Sequence, residues 1–513
     1  MRSTALNAAR RAADLAALAD ETVDVLVVGG GVTGAGAALD AAARGLSVAL
    51  VEARELAFGT SRWSSKLIHG GLRYLAKGDV GLAAESALER HVLLTRTAPH
   101  LTRSLPQLVP LTPGVSPRAA ALTFAGLVAG DGLRRFAGTP TSVLPAPRRV
   151  SAPEALALAP GLSRLGLRGG LLSFDGQVVD DARLVVAIAR TAAGPDARVL
   201  TRARALMLDG SGAQVLDEVT GHEVRVHART VVNATGVWAG NLVEDVKLRP
   251  SRGSHLVLDG AGLGIGGTAL TIPVPGRFGS FALLLPQPDG RVYLGLTDIP
   301  VDDIPDVPVV PESDVDFLLD VAATVLDRPV SRLDVLGSFA GLRPLLDAPG
   351  DRSADLSRHH AIRTAPNGVI TVVGGKLTTY RKMAADAVDA AVRAGGLPAG
   401  RSTTRDIPLV GAAPRARLAI VDAPGWLISR YGREAETIHA MAQLDPDLAK
   451  PVTSTSLVTG AEVVWAVRTE GALTADDVLD RRTRIGLVPG DRAEAEPTVA
   501  DLVARALEGV KAS

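Results

Sequence analysis

The chain has 513 residues, 47% of them hydrophobic and 21% charged, a globular composition on the scale of more than one domain. Its 55 basic and 55 acidic side chains cancel, so no global field draws it to nucleic acid, and any anion must be held by a local cluster. It has no cysteine, which excludes disulfides, thiol catalysis and cysteine-ligated metal.

Residues 1–22 carry Arg2, Arg10 and Arg11 among alanines and leucines, interrupted by Asp14, Asp20 and Glu21. The acids break the apolar stretch a secretory signal needs. A short amphipathic helix docked on the body is expected, with membrane contact through it the less favoured reading. No stretch is long and apolar enough to span a bilayer. Val23 to Val28 reads as a buried strand; glycines follow, then a helical run from Ala35 to Arg44 and a second buried strand from Leu46 to Val51. That order at short spacing implies parallel strands with a right-handed crossover.

Residues 80–98 have helical periodicity and stop at Pro99, and 105–160 is rich in Pro, Gly and Ala with helix fragments between. A helix is expected over 180–193, a strand over 197–208, and two short strands over 219–226 and 230–233. Residues 250–300 are β-rich, and Ser313 is placed to cap a helix running to about Leu326. Val369 to Val373 is again a buried strand, followed by Gly374, Gly375 and a helix near 381–393. Residues 395–402 read as a linker, and helical patterns dominate from 405 onward.

Gly29, Gly31 and Gly34 lie between the first strand and helix at the spacing of a dinucleotide fingerprint. The first permits a tight turn, the second lets backbone approach a pyrophosphate, and the third lets helix pack on strand. The helix N-terminus offers free N–H groups to the phosphates. Glu52 closes the second strand about 20 residues on, where a carboxylate can hold a ribose hydroxyl. This disfavours NADP and leaves FAD and NAD open.

Three later segments bear on that choice. Val231 to Gly236 is a strand running into Ala234-Thr235-Gly236, a small-residue turn suited to close approach of a dinucleotide. Gly374 to Tyr380 is a second strand, glycine turn and helix start. Thr60 to Tyr74 is a long polar string containing Ser61, Ser64, Ser65, Lys66, His69, Gly70, Gly71, Arg73 and Tyr74.

These motifs, with SSKLIHGGLRY, VDDARLV over 179–185, NATG, GLRPL over 341–345, GGKLTTYRK and DRRTRIGL over 480–487, resemble the FAD-dependent glycerol-3-phosphate dehydrogenases. The resemblance runs from about residue 20 nearly to the end. Trp63, where a small residue is common, and the acidic stretch 302–306 depart from it. It implies FAD, contacted by Gly29, Gly31, Gly34, Glu52, Thr60, Ser61, Ser64, Ser65, Lys66, His69, Gly70, Gly71 and Ala205; with no cysteine for a thioether link, tight noncovalent binding is expected. Further contacts are implied from Ala234, Thr235, Gly236, Gly375, Lys376, Leu377 and Thr378.

The implied substrate is sn-glycerol 3-phosphate, oxidised to dihydroxyacetone phosphate. A phosphate needs several cations or forked donors, and Arg73, Arg343, Arg358 and Lys376 occupy the matching positions, with Tyr74 as a further donor. His69 suits a general base by its ordinary pKa, against the equal reading that it only hydrogen-bonds the cofactor. His255 is the second candidate base and substrate contact, although a buried strand histidine is favoured. Asp180 and Asp181 are expected to cap the following helix. His359-His360 lacks ligand company, so no metal is expected, and Arg481, Arg482 and Arg484 read as a solvated helix face in preference to a contact with phospholipid headgroups or an acidic partner.

The resemblance further implies a membrane quinone as electron acceptor, with cytoplasmic location and peripheral contact at the inner membrane face. Oxygen as acceptor, an amine-oxidising flavoenzyme and a non-catalytic flavin-binding scaffold are the alternatives. The expected architecture is α/β: a discontinuous Rossmann-type FAD domain (23–100, 170–250, 335–395), a β-rich substrate domain (101–169, 251–334) and an all-α C-terminal domain (405–513) that caps the body or forms a homodimer.

Overall fold

The computed structural model describes residues 3–71, 75, 78–244, 246–277, 280–346 and 359–511. Thr22–Val28 is the centre of the first sheet. It runs parallel to Val48–Val51 on one side and to Glu223–Asn233 on the other. Arg198–Leu200 and Ile370–Gly374 extend the parallel set outward. His360–Thr364 adds an antiparallel edge, and the hairpin of Ala203–Asp209 with Gly212–Asp217 joins Glu223–Asn233.

Helices Val32–Ala43, Asp181–Ala193 and Tyr380–Gly395 share one hydrophobic core with this sheet. Small residues bring them close: a Cβ on Gly36 would stand 3.0 Å from Ala384 Cβ. The N-terminal helix Ala8–Leu18 docks on the body as expected, with the buried Arg11 donating to the Thr201 carbonyl at 2.7 Å.

The second sheet follows the order Ile299–Pro300, Ser251–Asp259, Arg291–Gly295, Phe281–Pro286, Ala269–Pro273, Thr102–Pro110, Gly170–Val178, Leu67–Ile68. Val335–Arg343 also pairs with Ser251–Asp259. Helix Glu312–Ala323 contributes to the core of this sheet. Helices Gly460–Thr469, Ala475–Arg481 and Pro489–Lys511 share a separate C-terminal core.

Several expectations are corrected. Gly170–Val178 and Val335–Arg343, assigned by position to the FAD unit, pair into the second sheet instead. Strand partners are set by long-range register, which local pattern does not carry. The 105–160 stretch contains a 20-residue helix, Pro117–Phe136, started by Ser116 as cap and Pro117 at its first position. The two strands over 219–226 and 230–233 are one, Glu223–Asn233. The strand over 197–208 breaks at Arg202, which has φ 53°. The helix capped by Ser313 begins at Glu312 after Pro311, with no side-chain cap.

Candidate active site

The three central parallel strands end together, with Val28 beside both Val51 and Asn233, so the loops that follow them meet at one sheet edge. Gly29 has φ 109°, and a Cβ there would lie 2.6 Å from the Ala234 carbonyl oxygen. A Cβ on Gly34 would run into the Gly29 carbonyl oxygen, so both positions require glycine. Gly31 begins the helix Val32–Ala43 without a side-chain cap of its own, and Val32 N–H donates to Ser61 Oγ at 2.9 Å. Glu52 accepts from Gly30 N–H at 2.6 Å and Arg54 N–H at 2.7 Å. Burial pushes its carboxyl above the usual range, against the pull of those two amides.

A cavity of about 340 Å³ opens at this edge. Its walls include Glu52 and Ala205, the Gly29–Gly31 turn, Thr60, Ser61 and Ser64, the Ala234–Gly236 turn, and Gly375, Lys376 and Leu377. A buried acid, a helix N-terminus free of its own cap and glycines that no side chain could replace fit a dinucleotide. The short turn Leu377–Thr379, with Thr378 buried, starts the helix Tyr380–Gly395 at the same cavity.

The polar segment from Thr60 is fastened at several points. Thr60 Oγ1 donates to the Leu342 carbonyl at 2.6 Å. Ser65 Oγ lies 2.9 Å from His255 Nε2. Gly70 N–H donates to Asp175 at 3.2 Å, and Asp175 is held by Arg90 at 2.5 Å. His69 is half-buried at the end of the strand Leu67–Ile68, and its Nδ1 accepts from Gly71 N–H at 3.3 Å. The Lys66 ammonium points into Asp181 at 2.8 Å rather than forming a wall of the cavity. Burial and the nearby Arg484 push it down to about 8 against the pull of Asp181.

Arg343 ends its strand with Nη1 3.1 Å from Asp298 and Nη2 3.4 Å from the Thr297 carbonyl, next to Pro344 in the cavity wall. Lys376 lines the cavity and donates to Ser86 Oγ. His255 is fully buried, its ring stacked 4.7 Å from that of Phe339. Burial, then Lys66 and Arg343, push it down to about 3, so it is neutral near pH 7 and a poor proton acceptor there. Arg73, Tyr74 and Arg358 lie outside the described residues.

The sequence reading missed some walls: Phe58, Arg54, Asn241 and Trp238. Trp238 sits against Gly59, whose Cβ would lie 2.7 Å from its ring; its place just after the Ala234–Gly236 turn was the available signal. Asp306, in the acidic stretch, also lines the cavity and pairs with Arg54 at 2.6 Å. Of the paired acids only Asp180 caps the helix, while Asp181 turns to Ser64 and Lys66. Arg481, Arg482 and Arg484 are not a solvated face: all three are buried, Arg481 paired with Asp477 and Arg482 with Glu55 and Glu470. His359 and His360 pair with Asp79 and Asp386, and among the described residues no cluster of His, Asp or Glu is placed to hold a metal ion.

Residues 24–381 match the family described as FAD dependent oxidoreductase, and 402–512 match the C-terminal domain of alpha-glycerophosphate oxidase. The chain is 50% identical over 515 residues to glycerol-3-phosphate dehydrogenase 1 of Mycobacterium tuberculosis, covering 98% of this chain and 99% of that one. It is 35% identical to a mitochondrial glycerol-3-phosphate dehydrogenase of Arabidopsis thaliana, over 94% of this chain and 83% of that one. A solved glycerol-3-phosphate dehydrogenase from Bacillus halodurans, complexed with FAD, superposes with a TM-score of 0.74 at 25% identity, covering 99% of this chain and 97% of that one.

Proposed function

This chain belongs to the FAD-dependent glycerol-3-phosphate dehydrogenases, and we propose that it oxidises sn-glycerol 3-phosphate at carbon 2 to dihydroxyacetone phosphate. The cavity carries the reading: it joins the dinucleotide cradle of Gly29, Gly31 and Glu52 to the cation of Lys376 in one chamber. Bound FAD supplies the hydride acceptor, its N5. The protein's own groups do the remaining work of positioning and proton removal.

Lys376 and Arg343 hold the phosphate, a point charge and a planar fork that suit its oxygens. Arg73, Tyr74 and Arg358 complete the clamp. His69 takes the hydroxyl proton as general base. His255, depressed by burial, orients the turn at Ser65 and is not the base.

The electrons leave to a membrane quinone, which places the enzyme peripherally at the inner face of the cytoplasmic membrane. No helix among the described residues is long and apolar enough to cross a membrane. Oxygen is the second reading for the acceptor, favoured by the match of residues 402–512 to an oxidase domain. Peroxide yield in air separates the two.

The test is the visible spectrum of the purified protein before and after glycerol 3-phosphate is added without oxygen. Loss of the flavin band is the expected result. A yellow protein that stays yellow sinks the substrate assignment.

A further inference from the structure

We infer that Asp181 is a positioning residue for this reaction: its carboxylate fastens the Ser64–Ser65–Lys66 turn against the cofactor cavity. The inference rests on the proposal that FAD occupies that cavity. Asp180 and Asp181 stand side by side at the start of the helix Asp181–Ala193, yet their contacts differ. Asp180 Oδ1 accepts from Ala182 N–H at 2.8 Å and Arg183 N–H at 3.2 Å, an ordinary N-cap. Asp181 Oδ1 accepts from Ala182 N–H at 3.0 Å. Its Oδ2 faces across to the polar segment and accepts three donors: Ser64 N–H at 3.0 Å, Ser64 Oγ at 2.7 Å and Lys66 Nζ at 2.8 Å.

The turn those donors belong to is one the backbone does not favour unaided. Lys66 has φ 59°, a left-handed conformation that a side chain with a Cβ keeps only where surroundings over-determine it. The surroundings here are few and specific. Besides Asp181, the Lys66 ammonium donates to the Arg62 carbonyl at 3.0 Å and the Ser64 carbonyl at 3.3 Å, so its head closes the turn on itself. Lys66 is buried, and a buried ammonium needs an anion beside it. Asp181 is that anion. Buried Arg484, whose guanidinium stacks 5.3 Å over the Trp63 ring, is the other cation facing Asp181.

The turn has two outputs toward the chemistry. Ser64 forms part of the cavity wall, and Ser65 Oγ meets His255 Nε2 at 2.9 Å. The chain then enters the strand Leu67–Ile68, and His69 follows it. Releasing Asp181 therefore loosens a cavity wall and the approach to the proposed base together. An amide cannot replace the carboxylate: whichever way it is turned, its NH₂ faces either Ala182 N–H or the Ser64 and Lys66 donors.

The test compares Asp181→Asn with Asp180→Asn, each stripped of flavin and titrated with FAD, then reduced by glycerol 3-phosphate without oxygen. Asp181→Asn is expected to raise the FAD dissociation constant about tenfold and slow flavin bleaching about tenfold or more. Asp180→Asn is expected to keep the cap, since an Asn oxygen accepts from the same two amides, with melting temperature close to the parent's and FAD affinity and bleaching within about twofold of it. Parent-like FAD affinity and flavin band in Asp181→Asn overturn the inference. Should Asp181→Asn not fold, the double variant Lys66→Met/Asp181→Leu, which removes both buried charges, decides by the same FAD titration. If glycerol 3-phosphate fails to bleach even the parent, the substrate assignment falls, while the FAD titration still judges Asp181.

Discussion

Arg482 and Glu55 meet at 3.0 Å with neither side chain reaching solvent, and this pair ties the C-terminal helical region to the loop just after Glu52. Around it Arg183 pairs with Glu470 at 2.7 Å, and Arg202 with Asp477 at 2.9 Å. The body and the terminal helices are thus joined by ion pairs, of which Arg482–Glu55 and Arg183–Glu470 are shielded from water. Removing one member of such a pair leaves the other buried and unpaired, which is where the energetic consequence lies.

Arg482→Met is therefore expected to destabilise the protein by about 3–5 kcal/mol, read from urea unfolding near neutral pH. Burial already raises the Glu55 carboxyl above its ordinary value, against the pull of Arg482, and the substitution raises it further. A carboxyl whose folded pKa exceeds its unfolded one favours folding below the unfolded pKa and loses that contribution as pH rises through the folded value. The deficit of Arg482→Met relative to the parent should thus shrink toward pH 5 and grow toward pH 8. An equal deficit at both would show that Glu55 is not left charged and unpaired.

Gly34→Ala should abolish flavin uptake. The added methyl meets the Gly29 carbonyl oxygen, so either the helix Val32–Ala43 or the phosphate turn must move. Overpacking of this kind typically costs about 1–3 kcal/mol in stability. The ratio of flavin to protein absorbance in the purified variant checks it; full loading would mean that the turn tolerates the displacement.

Lys66 predicts a signature at alkaline pH. Its folded pKa, pushed down to about 8 from 10.5 by burial and Arg484, means that the unfolded chain binds its proton more tightly between those values. Stability contributed by this group therefore rises with pH across that window. In Lys66→Met the contribution is absent, so the slope of stability against pH between about 8 and 10 should be smaller than in the parent. Matching slopes from denaturant titrations at several pH values would remove Lys66 as the cause.

The phosphate clamp and the base separate kinetically. Arg343→Ala is expected to raise KM for glycerol 3-phosphate about a hundredfold, near 3 kcal/mol for a lost charge-assisted fork. His69→Gln should instead lower kcat by about 10²–10⁴ with a smaller change in KM. If His69→Gln keeps parent-like kcat, His69 only hydrogen-bonds the cofactor and the base lies elsewhere.

The nucleotide cradle was legible in the residues because its signals are local. Gly29, Gly31 and Gly34 are spaced by the geometry of one turn, and Glu52 follows at the end of the next strand, so a short stretch of chain states the whole device. Helices with strong periodicity, such as Asp181–Ala193 and Tyr380–Gly395, were legible for the same reason. The pairing of Asp180 and Asp181 was not. Both acids suit a helix start, and only the polar segment more than a hundred residues earlier in the chain, folded against one of them, tells cap from clamp.

The same boundary explains the other corrections. Arg481, Arg482 and Arg484 look like a solvated run because a charged side chain alone is solvated by default. They are buried in the fold, where Glu55 comes from the far end of the chain to meet Arg482 and Arg484 faces Asp181, while Arg481 pairs with Asp477 one turn back on its own helix. Gly170–Val178 and Val335–Arg343 were assigned to the FAD unit by position alone, and which sheet they join depends on nine-residue partners far along the chain. The sequence by itself thus determined the dinucleotide cradle and the local elements, since these rest on spacings within a turn or a strand, and the resemblance of its longer motifs implied the family and with it FAD. Only the tertiary structure decided which charges pair, which strands share a sheet and which acid holds the Ser64–Lys66 turn, because burial and long-range register exist only once distant segments meet.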